Sequence, residues 1–221
     1  MSDARARLTR LVELAGGTAP EERRKLAVEL CDLLLDWPDT YPAAMREPFE
    51  TLLEKTIRLI DRESRAALIA RFAQAPTAPL GFLNEFFFEA APDLRAAILA
   101  RNAEHAAHPA PAAAIDETAL VTAARTEFNG EFSLSFARAL TLPQDTAERI
   151  LHDASGEALA IAARGAGISR ATFSTLALIA DGVHTDAENA TRLSAYELIP
   201  PRGAEALLAF WRSHAALSFA A

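Results

Sequence analysis

The side chains able to do chemistry are few and scattered. His105 and His108 form an H-x-x-H with Glu104 beside them. On a helix, a spacing of three puts two imidazoles on one face, where they could hold a metal ion. Pro109 follows at once and no third ligand is near in sequence, so exposed, unligated histidines are expected. His152, His184 and His214 have no recognisable partners. Ser155, before Gly156, and Ser169 are the candidate nucleophilic hydroxyls, but neither lies in a G-x-S-x-G elbow after a strand. Neither G-x-G-x-x-G nor G-x-x-x-x-G-K occurs, so no phosphate-cradling loop is expected. The acid pairs Glu21-Glu22 and Asp116-Glu117 fall at predicted helix starts, where they complement the positive end of the macrodipole. Cys31, the one cysteine, cannot make an internal disulfide and points to a reducing compartment. It sits in the apolar run LAVELCDLLLDW, which predicts a buried, inert thiol. The chain is therefore expected to be no enzyme, with no catalytic residue, metal or cofactor.

The sharpest local signal is AARGAGISRATFSTL, from Ala162 to Leu176. It resembles the helix-turn-helix of lac-type repressors, which carry A-G-V-S-x-A-T-V-S. The resemblance makes Ala163 the small residue where two helices cross, Gly167 the turn, and Ile168 and Phe173 the inward positions. Ser169 would cap the recognition helix, and Arg170, Thr172 and Thr175 would face a DNA groove. The same pattern serves any tight pair of stacked helices. Between Glu148 and Asp181 the bases Arg149, Arg164 and Arg170 are outnumbered by Glu148, Asp153, Glu157 and Asp181, without the excess that phosphate binding needs.

Aromatic residues are the candidates for contact with a protein partner. In GFLNEFFFEA, a helical wheel puts Phe82, Leu83, Phe86 and Phe87 on one face and Phe88 on the other. Phe88 is either covered by a second neighbouring helix or part of an exposed patch. Trp37 with Tyr41, and Trp211 with Phe210, admit the same two readings. The segment LSFAA ends in Ala220 and Ala221 and resembles bacterial degradation tags read by the ClpX unfoldase.

The elements that position these residues are helical throughout. The chain has 221 residues, 51% hydrophobic and 24% charged, which excludes a disordered or disulfide-stapled chain. Its net charge of −8 disfavours nucleic acid and anionic lipid as general partners. No secretory signal follows the charged start, and no run of about 18 apolar residues predicts a membrane span. Apolar residues recur at spacings of three and four, and period-two runs are absent. A first helix is predicted over 4–15, with Leu8, Leu11, Val12 and Ala15 inward, stopped by Gly16-Gly17. Thr18 is the predicted N-cap of a second, with Leu26, Leu30, Leu33 and Leu34 buried, ended by Trp37-Pro38. Further helices are predicted over 43–60, 62–74, 80–89 and 93–102. After an Ala/Pro linker over 104–115 come helices at about 116–126, 130–140, 144–153, 156–166, 170–181, 186–197 and 201–214. This gives about thirteen short helices, an N-terminal helical repeat domain (1–103) and a C-terminal helical domain (116–221). Short antiparallel helices with one apolar stripe favour an irregular α-solenoid.

Several segments carry a family resemblance. They include LLEKTIRLIDRESRAALIARFAQAPTAPLGFLNEFFFEAAPDLRAAILARN and LPQDTAERILHDASGEALAIAARGAGISRATFSTLALIA. With R-x-x-L-x-x-x-F at Arg65, Leu68 and Phe72 and the turn at Ala78-Pro79, the chain resembles the alphaproteobacterial family known as domain of unknown function 2336. The likeness covers most of 8–102 and about 142–181. It implies HEAT-like helical repeats in a bacterial cytoplasm and transfers no site residue. The expectation is a non-catalytic scaffold or adaptor for protein–protein interaction, in signalling or cell-cycle regulation, with a homodimer among the arrangements open to it. A DNA-binding regulator using 162–176 is the alternative.

Overall fold

The computed structural model of the chain describes residues 2–75, 78–106, 114–126, 131–179 and 185–213. All regular structure among them is helical: α1 (Ser2–Ala15), α2 (Pro20–Leu35), α3 (Arg46–Ile57), α4 (Arg62–Ala73), α5 (Leu80–Glu85), α6 (Pro92–His105), α7 (Glu117–Thr126), α8 (Glu131–Leu140), α9 (Gln144–Leu151), α10 (Glu157–Gly165), α11 (Arg170–Ile179), α12 (Asp186–Leu198) and α13 (Pro201–Ser213). Short 3-10 turns precede α3 and follow α5, at Ala43–Met45 and Phe87–Glu89. The chain divides into two compact units, 1–94 and 95–221. Within the segment read as a linker, 104 and 105 belong to α6, while 107–113 lie outside the described residues. So do His108, His184, His214, Ala220 and Ala221.

In the first unit, α2 packs against α1, α3 and α4. Its stripe of Leu26, Leu30, Leu33 and Leu34 is buried as the periodicity predicts. Three details differ from the sequence reading. Val12 is 73% exposed although Leu11 is buried, because in this unit α1 packs mainly on α2. The start of α2 is not capped by Thr18. Instead the Ala19 amide donates to the Glu22 carboxylate at 3.1 Å. The predicted helix 80–89 breaks at Phe86 and continues as a 3-10 turn, which still buries Phe82, Leu83, Phe86 and Phe87.

Cys31 is fully buried on α2, and burial pushes its thiol up to about 12, with Arg71 opposing and Asp32 adding to the shift. The thiolate is the reactive form. We expect no modification by a thiol reagent at mildly alkaline pH in the folded protein, and full modification in denaturant. Rapid labelling of the native chain would show that α2 opens locally.

α4 and α6 share a pattern that periodicity alone does not reveal. Residues 65–73 read RAALIARFA and residues 95–103, thirty positions later, read RAAILARNA. Equivalent positions have equivalent burial: Arg65 and Arg95, Leu68 and Ile98, Ile69 and Leu99, Phe72 and Asn102 are all buried. Each arginine is the fourth residue of its helix and holds a carboxylate, Glu89 at 2.8 Å for Arg65 and Asp153 at 3.0 Å for Arg95.

In the second unit α10 is the central helix, in contact with α9, α11, α12 and α13. Its run Ala158–Ala163 is buried on every side, as an all-round apolar helix must be. Further pairs are α7 with α8 and α11, α8 with α9, and α11 with α12.

Candidate functional site

The segment 162–176 folds as its spacing predicts. α10 ends at Gly165, Gly167 turns with φ +72, and α11 starts at Arg170. Gly167 supplies the left-handed backbone that other residues rarely adopt. Ala163, Ile168 and Phe173 are buried. Ser169 caps α11, its hydroxyl accepting from the Thr172 amide at 3.3 Å.

The polar residues of the pair face the protein's own groups. Glu117, the first residue of α7, accepts from the Ser169 amide at 3.1 Å and from the Ser169 hydroxyl. The Ser169 hydroxyl, the Thr172 hydroxyl and the Ser169 amide hold the Glu117 carboxyl below its ordinary value. A carboxylate therefore occupies the helix start that a DNA phosphate would need. Thr172 is buried and faces no groove. Thr175 donates to the Ala171 carbonyl at 3.1 Å. Arg170 is exposed but pairs with Glu197 of α12 at 2.7 Å. Arg164 lies 4.9 Å above the Tyr196 ring, and the Tyr196 hydroxyl donates to the Ile168 carbonyl at 2.7 Å. The arrangement locks α11 onto α7 and α12.

The densest polar cluster lies at the turn between α9 and α10. Arg95 of α6 reaches Asp153 at 3.0 Å, the Ser155 hydroxyl at 3.2 Å and Glu157 at 3.5 Å. Asp153 also accepts from the Ser155 hydroxyl at 2.6 Å and from the Ala158 amide at 3.0 Å. Burial pushes the Asp153 carboxyl up. The Ser155 hydroxyl, the Ala158 amide and Arg95 outweigh it, and the net direction is down. Burial raises Glu157 despite Arg95. These groups tie α6 to the start of α10, where the Ser155 hydroxyl also accepts from the Glu157 amide at 3.2 Å.

Of the five histidines, His105 and His152 lie among the described residues. His105 and His152 each place Nδ1 against the carbonyl four residues earlier, at 2.8 and 2.7 Å. No group of three or more His, Cys, Asp or Glu that could hold a metal occurs among the described residues.

Of the aromatic candidates, Trp37 is half-buried, edge-on to Tyr41 and Phe49, with Arg46 above its ring at 5.9 Å. Phe88 is half-buried and edge-on to Phe87. Trp211 is 3% exposed and belongs to the core, so its ring is not offered to a partner. Trp37, Tyr41, Phe88 and Phe210 each keep part of a ring at the surface.

One concave feature among the described residues is an open groove of about 410 Å³ between α7 and α8. Ile115, Leu120, Ala119, Ala123 and Ala139 line it, with Ser135, Arg138 and Asp116 as its polar residues. Asp116 is engaged as the N-cap of α7, accepting from the Ala119 amide at 2.9 Å.

The model of the family described as "uncharacterised protein conserved in bacteria", domain of unknown function 2336, matches residues 44–209. The chain belongs to this family. No curated protein and no solved structure matches it. The matched region of this DUF2336 chain spans α4, α6, the Arg95 cluster and the α7–α8 groove. No helix among the described residues is long and apolar enough to cross a membrane. The sequence reading missed both the groove and the Arg95 cluster. The repeated R-A-A pattern is the signal that could have drawn attention to Arg95.

Proposed function

We propose that this DUF2336 chain is a non-catalytic, HEAT-like helical scaffold that binds another protein, in the cytoplasm and in a signalling or cell-cycle assembly. The α7–α8 groove carries the reading. It is open and mostly apolar, and its small lining residues suit the close approach of a helix. The repeated R-A-A pattern of α4 and α6 supports a degenerate helical repeat. The groups that could do chemistry have structural uses: Asp153, Ser155 and Glu117 cap helices, and Arg95 holds two of them together.

The test is site-specific photo-crosslinking in cells, with the probe at Ala123 or Ala139 in the groove and at exposed Asp145 as control. Covalent protein adducts are expected from the groove positions and not from the control. Their absence at both groove positions overturns the reading.

The spacing at Gly167 favours the second reading, DNA binding through Ser169, Arg170, Thr172 and Thr175. Glu117 and Glu197 oppose it, since each places a carboxylate where a phosphate would go. Anisotropy of labelled random duplex at about 50 and 200 mM salt separates the two readings. No binding is expected at either salt. Salt-sensitive binding lost in Arg170→Glu would promote the regulator.

A further inference from the structure

We propose that the exposed face of α8 and the adjoining groove form the interface of a homodimer, in which two copies of α8 pack antiparallel about a two-fold axis. This rests on the reading of that face as a protein-contact surface and names its occupant as a second copy of the chain.

The argument begins with the helix itself. Along α8, residues 131, 134 and 138 fall on one stripe, because positions three, four and seven apart share a helix face. All three are exposed, while Phe132, Ser133, Phe136, Ala137 and Leu140 are buried on the opposite side. The exposed stripe thus reads Glu131, Leu134, Arg138. Leu134 is 37% exposed although it is a large aliphatic residue in the middle of a structured helix. Among the described residues, neither the Glu131 nor the Arg138 side chain has a salt bridge to its own chain.

The order of charges selects the partner. An acid at one end of the stripe and a base at the other, with an apolar residue between, is self-complementary under reversal. When two copies run antiparallel about an axis between residues 134 and 135, Glu131 of each lies opposite Arg138 of the other. The two Leu134 side chains then meet at the axis. A closed two-fold interface uses the same patch on both copies in this way. A parallel pairing would set like charges against each other.

The groove supplies the rest of the surface. A ten-residue helix is only about 15 Å long, and a stable interface buries at least about 1,200 Å² in total, so α8 alone is insufficient. Ser135 and Ala139 slope from the stripe into the groove, whose far wall is Ala119, Leu120 and Ala123 of α7. Small residues there let a second α8 approach closely and bring α7 into the contact. Leu134 supplies the apolar anchor that an interface centre requires.

The test is charge exchange, read by sedimentation of the full chain at micromolar concentration. The wild type is expected at about twice the 23.8 kDa monomer mass. Glu131→Arg and Arg138→Glu should each weaken dimerisation at least tenfold, because the two-fold axis doubles every repulsive contact. The Glu131→Arg/Arg138→Glu double variant should restore the dimer, since the exchanged charges again face opposites. Both residues are exposed, so circular dichroism of all variants should match the wild type. A chain that stays monomeric to about 100 μM, or a dimer indifferent to the single exchanges, overturns the proposal. If the chain is monomeric while probes at Ala123 and Ala139 still capture a different protein, the dimer falls and the scaffold reading stands. If neither occurs, both fall.

Discussion

Gly165→Val will unfold the second unit roughly 10 °C below the wild type. Gly165 sits where α10 meets α13, and a Cβ built on it would lie 2.5 Å from the Ala204 carbonyl oxygen and 2.8 Å from its carbon. These are backbone atoms of a neighbouring helix, so no side-chain rotation relieves the contact. The two helices must separate, which loosens Ala204, Leu207 and Leu208, all fully buried. Overpacking of this kind costs about 1–3 kcal/mol, and the further branches of valine raise it to about 3. Each kcal/mol lowers the midpoint by about 2–4 °C in a domain of this size. Gly165→Ala poses the sharper question. Helix propensity favours alanine by about 1 kcal/mol, and the contact opposes it by more, so a smaller net loss is expected. Gly167 is the control. Nothing lies within 4 Å of its would-be Cβ, and its φ of +72 is the only obstacle. Gly167→Asn, with a residue that tolerates left-handed backbone, should therefore cost little. Thermal melts followed by circular dichroism decide it. A Gly165→Ala chain that melts at or above the wild type would show that α10 and α13 are not held by this close approach.

The same glycine shows where sequence reading reaches its limit. Helix borders were legible because caps and breakers act locally. Asp116 caps α7 and Gly167 makes the turn, and both follow from residues within a few positions. Buried stripes were legible for helices covered on one side, as in α2. Val12 was misplaced because the wheel gives the orientation of a stripe but not how much of it a neighbour covers. The turn at Phe86 was missed because 80–89 has helical periodicity, while tertiary packing of three phenylalanines rewards a tighter turn. Ser169 caps α11 as its spacing predicts, but its contact with Glu117 and the burial of Thr172 were not legible, for a different reason. Glu117 is 52 residues from Ser169 in sequence, and a contact over that separation leaves no spacing signature. Gly165 itself reads as an ordinary helix end, and only Ala204 from α13 explains it. The groove is invisible for the same reason, since it belongs to two helices and to neither alone.

The Arg95 cluster yields the second large effect, and its pH dependence separates charge from packing. Arg95→Met keeps much of the apolar stem and removes the cation. The Arg95 side chain is 10% exposed and that of Asp153 9%, so the remaining carboxylates stay buried beside no positive partner. Breaking a buried pair from one side costs about 3–5 kcal/mol. Asp153 keeps its bonds to the Ser155 hydroxyl and the Ala158 amide, which places the expected loss near the lower end. The two carboxyls respond to pH in opposite senses in the wild type. Asp153 is held below its ordinary value, so its contribution is present above the unfolded pKa and lost as pH falls through the folded one. Glu157 is raised, so it costs stability once the pH is high enough to ionise it in the unfolded chain, and that cost disappears on acidification. In Arg95→Met both carboxyls lose their cation and both move upward. The variant's deficit should thus be largest near neutrality and shrink below about pH 4, where the two groups are protonated in either chain. Glu157→Gln should be far milder than Asp153→Asn at neutral pH, because neutralising Glu157 removes a desolvation cost while neutralising Asp153 weakens a cap and an ion pair together. Urea unfolding near pH 7 and near pH 4 gives the comparison. An Arg95→Met deficit equal at the two values would assign the residue's role to its hydrocarbon stem and not to the charge that joins α6 to α10.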